Sequence, residues 1–293
     1  MSHWRYHHHG VRVFSDLELP EWAFCAVAAD SSPCDVRIRL ADREPEPLAE
    51  DFPFPVPHVA VFTIRGTSEI VAVPEPGVSS HRVRLFLTGS AWGALMYRRG
   101  ALLIHASAIG TSLGAVAFCA RSGSGKSTLA ALLSSEGYPL ISDDLCCVRM
   151  SRGEQPMLYP SVPRLRLWHD AAEELGWAAS VREDEQFRAG KHLYMKRRSD
   201  CPDPQPLRAL YILGWGAPAI LHLQGFNAIT RLLATATWRG ELLLATGRPE
   251  EHFANCSALL RQVECWEFRR PRELSQLIEN SRVLIRHISD PRR

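Results

Sequence analysis

The chain of 293 residues is long enough for one large domain or two modest ones, and 46% apolar against 23% charged residues is ordinary soluble composition. A formal net charge of +2 gives no global attraction to nucleic acid or to a membrane surface. No apolar run nears the roughly 18 residues of a spanning helix, and the start, Met1-Ser-His-Trp-Arg-Tyr, lacks the apolar centre of a secretion signal. His7-His8-His9 reads as part of a mobile, solvated end. Eight cysteines, at 25, 34, 119, 146, 147, 201, 256 and 265, form no Cys-x-x-Cys pair. Cys119, Cys146 and Cys147 sit in strand-like apolar runs, so buried reduced thiols and a reducing, cytoplasmic setting are expected.

In chain order, short β-branched or alternating runs at 11–14, 36–40, 59–64, 70–73 and 82–87 predict strands between Pro, Gly, Asp and Ser clusters. Residues 43–57 read as a Pro-rich connector, and 90–97 as a short helix ended by Gly100. From residue 101 the strands lengthen. Residues 102–109 and 115–119 flank a turn at 110–114 and predict a hairpin. A helix follows over 127–135, a strand over 138–142, a helix over 169–175, a strand over 210–213 and a helix over 251–263. Pro271-Arg-Glu-Leu is expected to open a last helix. The predicted fold class is α/β: a mixed β-sheet flanked by helices over 98–293, preceded by a smaller β-rich domain over 1–97. No internal repeat interrupts this order.

The chemistry concentrates at Ala120-Arg-Ser-Gly-Ser-Gly-Lys-Ser127, between a buried strand and a helix. This meets the phosphate-loop pattern G-x-x-x-x-G-K-[ST] except at its first position, where Ala120 stands for Gly. Backbone N–H groups of such a turn wrap a polyphosphate, and the helix N-terminus adds a favourable dipole. Lys126 reaches the β- and γ-phosphates and the Ser127 hydroxyl ligates Mg²⁺. Ala120, Arg121, Ser122, Gly123, Ser124, Gly125, Lys126, Ser127 and Thr128 are therefore the candidate binding residues for ATP or GTP.

Asp143-Asp144 lies only 17 residues beyond Lys126. A helix runs about 15 Å away from the loop, Gly137 reverses the chain, and a strand returns about 16 Å. The aspartates thus come back to the sheet edge that holds the loop. One carboxylate there can hold a metal and the other can accept a proton from an attacking hydroxyl. Hairpin pairing symmetric about Ser112 sets His105 opposite Cys119, at the mouth of the same loop. Arg164, Arg166 and Lys191 are candidates to neutralise charge on a transferred phosphoryl group. Lys196-Arg-Arg198 reads as a surface loop, and Trp168 and Trp177 as packing aromatics.

Together His105, the loop at 120–127, Glu136-Gly137 and Ile141-Ser-Asp-Asp144 resemble the catalytic domain of HPr kinase/phosphorylase and its HPr-kinase-like relatives, over residues 98–215. The resemblance implies a P-loop kinase domain that phosphorylates a Ser hydroxyl with ATP and Mg²⁺. It also implies Asp143 as the base toward the acceptor, Asp144 with Ser127 at the metal, and assembly into homo-oligomers. The Glu-x-Arg-Gly-Leu-Gly segment of the bifunctional enzymes is missing; Tyr159-Pro-Ser-Val-Pro-Arg-Leu-Arg-Leu-Trp168 and Lys191-His-Leu stand there instead. With Ser15-Asp-Leu-Glu-Leu-Pro20, these segments are similar to shorter relatives such as lasso-peptide precursor kinases. The expected partner is then a precursor peptide, with neither nucleic acid nor membrane. A nucleotide-binding regulator with little catalysis, or a kinase of a small molecule or protein, is the alternative. A transport or motor ATPase is disfavoured, because those proteins carry far more chain between the loop and their metal-binding Asp.

Overall fold

In a computed structural model, the described residues are 3–28, 32–151, 153–162, 164–177, 191–195, 203–246, 248–273 and 276–290. The chain divides into two compact units: Met1–Leu103 with Arg239–Glu251, and Ile104–Trp238 with His252–Arg293.

The first unit is built on a sheet of β1 (Trp4–His8), β2 (Val11–Ser15), β3 (Val36–Leu40), β4 (Phe52–Val56), β5 (Ala60–Arg65) and β6 (Glu69–Pro74), in the order β1-β2-β3-β6-β5-β4. Alternation decides which face is buried: on β3, Val36 and Ile38 turn inward and Arg37 turns out. Three expectations are corrected here. The His triplet is not a solvated end, since His8 and His9 are each 2% exposed. Trp4–His8 pairs with β2, His9 Nδ1 accepts from Trp92 Nε1 at 3.0 Å, and the His8 ring lies tilted against Trp22 with ring centres 4.3 Å apart. The Pro-rich connector contains β4, whose Pro53 and Pro55 are tolerated because it is a sheet-edge strand. Residues 82–87 are helical: α1 (Ser80–Phe86) is capped by Ser79, whose hydroxyl accepts from the Arg82 N–H. Val83 and Leu87 are buried while Leu85 between them is only partly so, which fits the helical period and breaks the alternation of a strand. A wide π turn at Leu87–Ala91 leads into α2 (Trp92–Arg98). The short helix over Gly240–Ala245 also belongs to this unit and packs on α2.

β7 (Leu102–Ile104) crosses the division. Beyond it come β8 (Ala106–Thr111), β9 (Gly114–Cys119), α3 (Lys126–Ser135), β10 (Leu140–Asp143), β11 (Cys146–Arg149), β12 (Met157–Tyr159), β13 (Arg164–Trp168), α4 (His169–Glu174) and β14 (Lys191–Met195). β15 (Gln205–Trp215), β16 (Ala219–Leu223), α5 (Gly225–Ala236), α6 (the Gly240–Ala245 helix), α7 (Pro249–Leu260), β17 (Glu264–Arg270) and α8 (Leu277–Ile288) complete the chain. The sheet is mixed, as expected: β8 pairs antiparallel with β9 and β10, whereas β15 runs parallel to both β9 and β17. Helices α3 and α8 cover it through a core that includes Phe118, Leu129, Leu133, Tyr211, Phe268 and Leu284. Trp177 joins that core and donates Nε1–H to the Ala131 carbonyl.

Two details differ from the sequence reading and bear on the site. The β8–β9 turn closes over two residues, because Gly114 adopts φ 122° and Thr111 pairs with it directly. Ala106, not His105, therefore faces Cys119; His105 lies one residue before the ladder and donates its N–H to the Ala236 carbonyl at 2.7 Å. Helix α8 starts at Leu277, so Pro271 precedes it rather than opening it. At the end of α3, Gly137 takes φ 97° while the Tyr138 N–H bonds the Leu133 carbonyl, which turns the chain back toward the loop. No atom lies within 4 Å of a methyl built there, so Gly137→Ala isolates the backbone cost. It should lower unfolding stability by about 1–2 kcal/mol in denaturant titration, without a packing contribution.

Candidate functional site

Strand β9 delivers Ala120, only 1% exposed, to the start of the loop. Gly123 and Gly125 take φ 84° and 78°, a region that excludes most side chains, and α3 begins at the next residue. Ala120 is not among the residues with positive φ, so a methyl is tolerated where the pattern has Gly. Its carbonyl accepts from Lys126 Nζ at 2.7 Å, and the same ammonium lies 2.9 Å from His105 Nε2. Lys126 is 6% exposed. Burial pushes its pKa down, against the opposing pull of Asp143 and Asp144.

The aspartates reach the loop, in two different ways. Asp143 Oδ1 and Oδ2 accept from the Ser127 hydroxyl at 3.0 and 3.1 Å, and Oδ1 also accepts from Ser107. The sequence expectation pairs Ser127 with Asp144; the carboxylate that meets the Ser127 hydroxyl is Asp143. Burial raises the Asp143 pKa first of all, partly countered by the Ser107 hydrogen bond. Asp144 takes φ 71°, an uncommon backbone state for a residue with a side chain. Its side chain is 42% exposed and its Oδ1 is 3.3 Å from His105 Nδ1. With Lys126 donating to Nε2, the proton of a neutral His105 sits on Nδ1 and faces the Asp144 carboxylate and carbonyl. The one-residue change of hairpin register leaves His105 beside the loop.

These groups open into a cavity of about 290 Å³ that also reaches Ser122, Thr128, Arg166, Trp168, Trp215 and Arg270. Arg166 lines it, whereas Arg164, two residues earlier on β13, does not. Lys191 pairs through its backbone with Trp168 in β14; its side chain, like Lys196-Arg-Arg198, lies outside the described residues. Arg121 and Ser124 belong to the loop backbone: the Arg121 carbonyl lies 3.4 Å from Lys126 Nζ, and the Ser124 carbonyl accepts from Arg270. Trp168 is 47% exposed at the cavity rim, not a packing aromatic, because it shares the outer face of β13 with Arg164 and Arg166. No sequence motif marks Arg270 as a site residue. It is 2% exposed and lies 146 residues beyond the carbonyl it binds, a separation that no local motif bridges.

Cys25, Cys119, Cys146, Cys147, Cys256 and Cys265 are buried free thiols; Cys34 is free and exposed, and Cys201 lies outside the described residues. Burial pushes Cys146, Cys147, Cys256 and Cys265 up to about 12, which keeps them as thiols. No described helix is long and apolar enough to cross a membrane.

Strand, glycine loop, buried lysine and helix on a mixed α/β sheet define a P-loop architecture. No protein-family model matches the chain, and no curated protein matches it. Among solved structures, the Hpr(Ser) kinase/phosphatase from Coxiella burnetii is similar at 12% identity and a TM-score of 0.32, covering 64% of this chain and 96% of that one. A likeness of that size decides nothing about the site.

The donor chemistry at the loop fits a magnesium ion. Among the described residues no group of three or more His, Cys, Asp or Glu side chains could hold a metal. Ser127 and Asp143 instead offer adjacent hard oxygens, and magnesium takes one or two carboxylates and completes its shell with water and phosphate. Burial of the Asp143 carboxyl also couples stability to pH. Its folded pKa lies above the unfolded one, so the native state gains stability from protonation that is lost as pH rises through that window. Without divalent cation, Asp143→Asn should therefore raise the melting temperature by a few degrees near neutral pH. The gain should shrink as pH falls below the carboxylate range, as calorimetry at both pH values would reveal.

Proposed function

We propose that this protein is a phosphotransferase that moves the terminal phosphoryl group of ATP to a hydroxyl, most specifically a peptide serine. The single observation that carries the reading is the pair of neighbouring carboxylates in different states beside one phosphate loop: Asp143 buried on the Ser127 hydroxyl, Asp144 exposed on His105. A loop that only binds nucleotide needs no second, solvent-facing acid.

In this reading Asp143 and Ser127 hold Mg²⁺, and the cation when bound neutralises phosphate charge and orients the phosphoryl group for transfer. The loop N–H groups and Lys126 bind the phosphates; Lys126 is already desolvated, which strengthens each contact it makes. Asp144 is the base. Asp144 lines the cavity with its side chain 42% exposed, and His105 holds it through Nδ1–H while being held in turn by Lys126. The acceptor hydroxyl loses its proton to Asp144 as its oxygen bonds to phosphorus and the bond to the leaving diphosphate breaks. Arg166 at the rim supplies positive charge toward the transferring group.

Serine as acceptor and a precursor peptide as partner rest on the sequence resemblance, and the β-rich first unit is the proposed peptide-recognition module. The geometry of the carboxylates supports giving Asp144 the role that the resemblance implies for Asp143. Asp144→Asn should leave ATP affinity within about twofold, while single-turnover transfer falls by about 100-fold or more. Asp143→Asn should instead raise the Mg²⁺ concentration needed for ATP binding, and Lys126→Ala should abolish binding. Calorimetric titration of ATP, with mass spectrometry for the phosphate shift on peptides encoded beside the gene, reads both arms. Normal transfer by Asp144→Asn together with none by Asp143→Asn would restore the opposite assignment.

A further inference from the structure

The guanidinium of Arg270 is a buried charged group of the second unit that the proposed chemistry leaves unused. It ends β17 at the position paired with Trp215 at the end of β15, and its Cζ lies 4.6 Å from the Trp215 ring centre. Strand alternation separates it from its neighbour: Arg269 turns to Glu267, which also binds Arg231 at 2.7 Å, whereas Arg270 turns to the side of Phe268 and the phosphate loop. One arm of the fork is occupied, with Nη2 donating to the Ser124 carbonyl at 2.7 Å. The other is not: Nη1 is buried and has no hydrogen-bond partner among the described residues. No described carboxylate forms an ion pair with Arg270, although it is 2% exposed. A buried charge with an empty donor is expensive unless an anion completes it. Arg270 lines the cavity that Gly125, Lys126 and Ser127 also line.

Gly125 records how close the approach is. A methyl built on it would meet Arg270 Nη2 at 2.8 Å, so the loop residue must lack a side chain for the guanidinium to reach the loop backbone.

Building on the phosphate-loop reading above, we propose that Arg270 is a phosphate ligand of the bound nucleotide, donating Nη1–H to its phosphate chain while Nη2 and Trp215 hold the guanidinium against the loop. Burial pulls its pKa to about 10, which leaves it charged at neutral pH. The bound phosphate chain is thereby gripped by two cations from distant parts of the chain, Lys126 and Arg270. Trp215 supplies the face on which the guanidinium rests, and Arg272 lies 5.5 Å from the same ring.

The test uses inorganic tripolyphosphate with Mg²⁺, which needs no acceptor and no base contact, titrated by calorimetry into the full chain and into Arg270→Gln and Arg270→Lys. Arg270→Gln should bind about tenfold more weakly or worse, the loss expected for one charge-assisted hydrogen bond. Arg270→Lys, which keeps the charge without the fork, should fall between. The unliganded melting temperature of Arg270→Gln should stay level or rise, because a buried charge without a counter-charge is removed. An Arg270 that merely braced the loop would lower it. Unchanged tripolyphosphate affinity in Arg270→Gln, or a weaker affinity accompanied by a lower melting temperature, overturns the proposal and leaves the phosphate-loop reading standing. If Arg270→Gln does not fold, Arg270→Lys decides: weaker binding supports the role, equal binding overturns it. A parent chain that binds neither tripolyphosphate nor ATP overturns both readings.

Discussion

The buried ammonium of Lys126 is the point on which the second unit's cavity depends. It draws together the end of β9 through the Ala120 carbonyl, the segment before β8 through His105, and the helix that carries it. His105 in turn fixes Asp144, and Ser127, the next residue after Lys126, fixes Asp143. Burial disfavours the charge on both Lys126 and Asp143, moving their pKa values in opposite directions, so each is most comfortable beside the other or beside a bound ligand. The loop is thus assembled before any nucleotide arrives, at a cost in stability that binding would offset.

Around this centre the chain spends its conformational exceptions sparingly. Gly123 and Gly125 take left-handed φ where the loop must bend toward a phosphate, and Asp144 does so although it carries a side chain. That strain turns consecutive aspartates in different directions, one into the protein and one toward solvent. Two adjacent acids on a regular strand would also point to opposite faces, but β10 ends at Asp143. The separation of roles proposed for the pair rests on that single backbone turn.

Much of the second unit was legible because its signals are local. Strand β9, the glycines, Lys126 and helix α3 follow one another within a continuous stretch, and Gly137 marks the return to Asp143-Asp144. The first unit was harder. Its helix α1 carries a strand-like run, since Val83 and Leu87 fit either period until Ser79 is seen to cap the turn. The histidines after Tyr6 looked solvated because polarity argues for exposure, yet Trp22 and Trp92 bury them. Pro53 and Pro55 masked a strand that survives only because it lies at an edge.

By itself the sequence determined that a phosphate loop exists, that two carboxylates return to it, and that an α/β sheet carries both. Those features depend on spacing along the chain, and spacing is written in the residues. Only the tertiary structure decided which aspartate meets Ser127, that His105 stands one place outside its ladder, and that Arg270 reaches the loop. The physical reason is that the hairpin register and the reversed φ of Asp144 are backbone states that residue type alone does not fix, and that the pairing of Trp215 with Arg270 joins groups far apart in sequence. Burial gives such pairings their energy, and burial is a property of the packed chain.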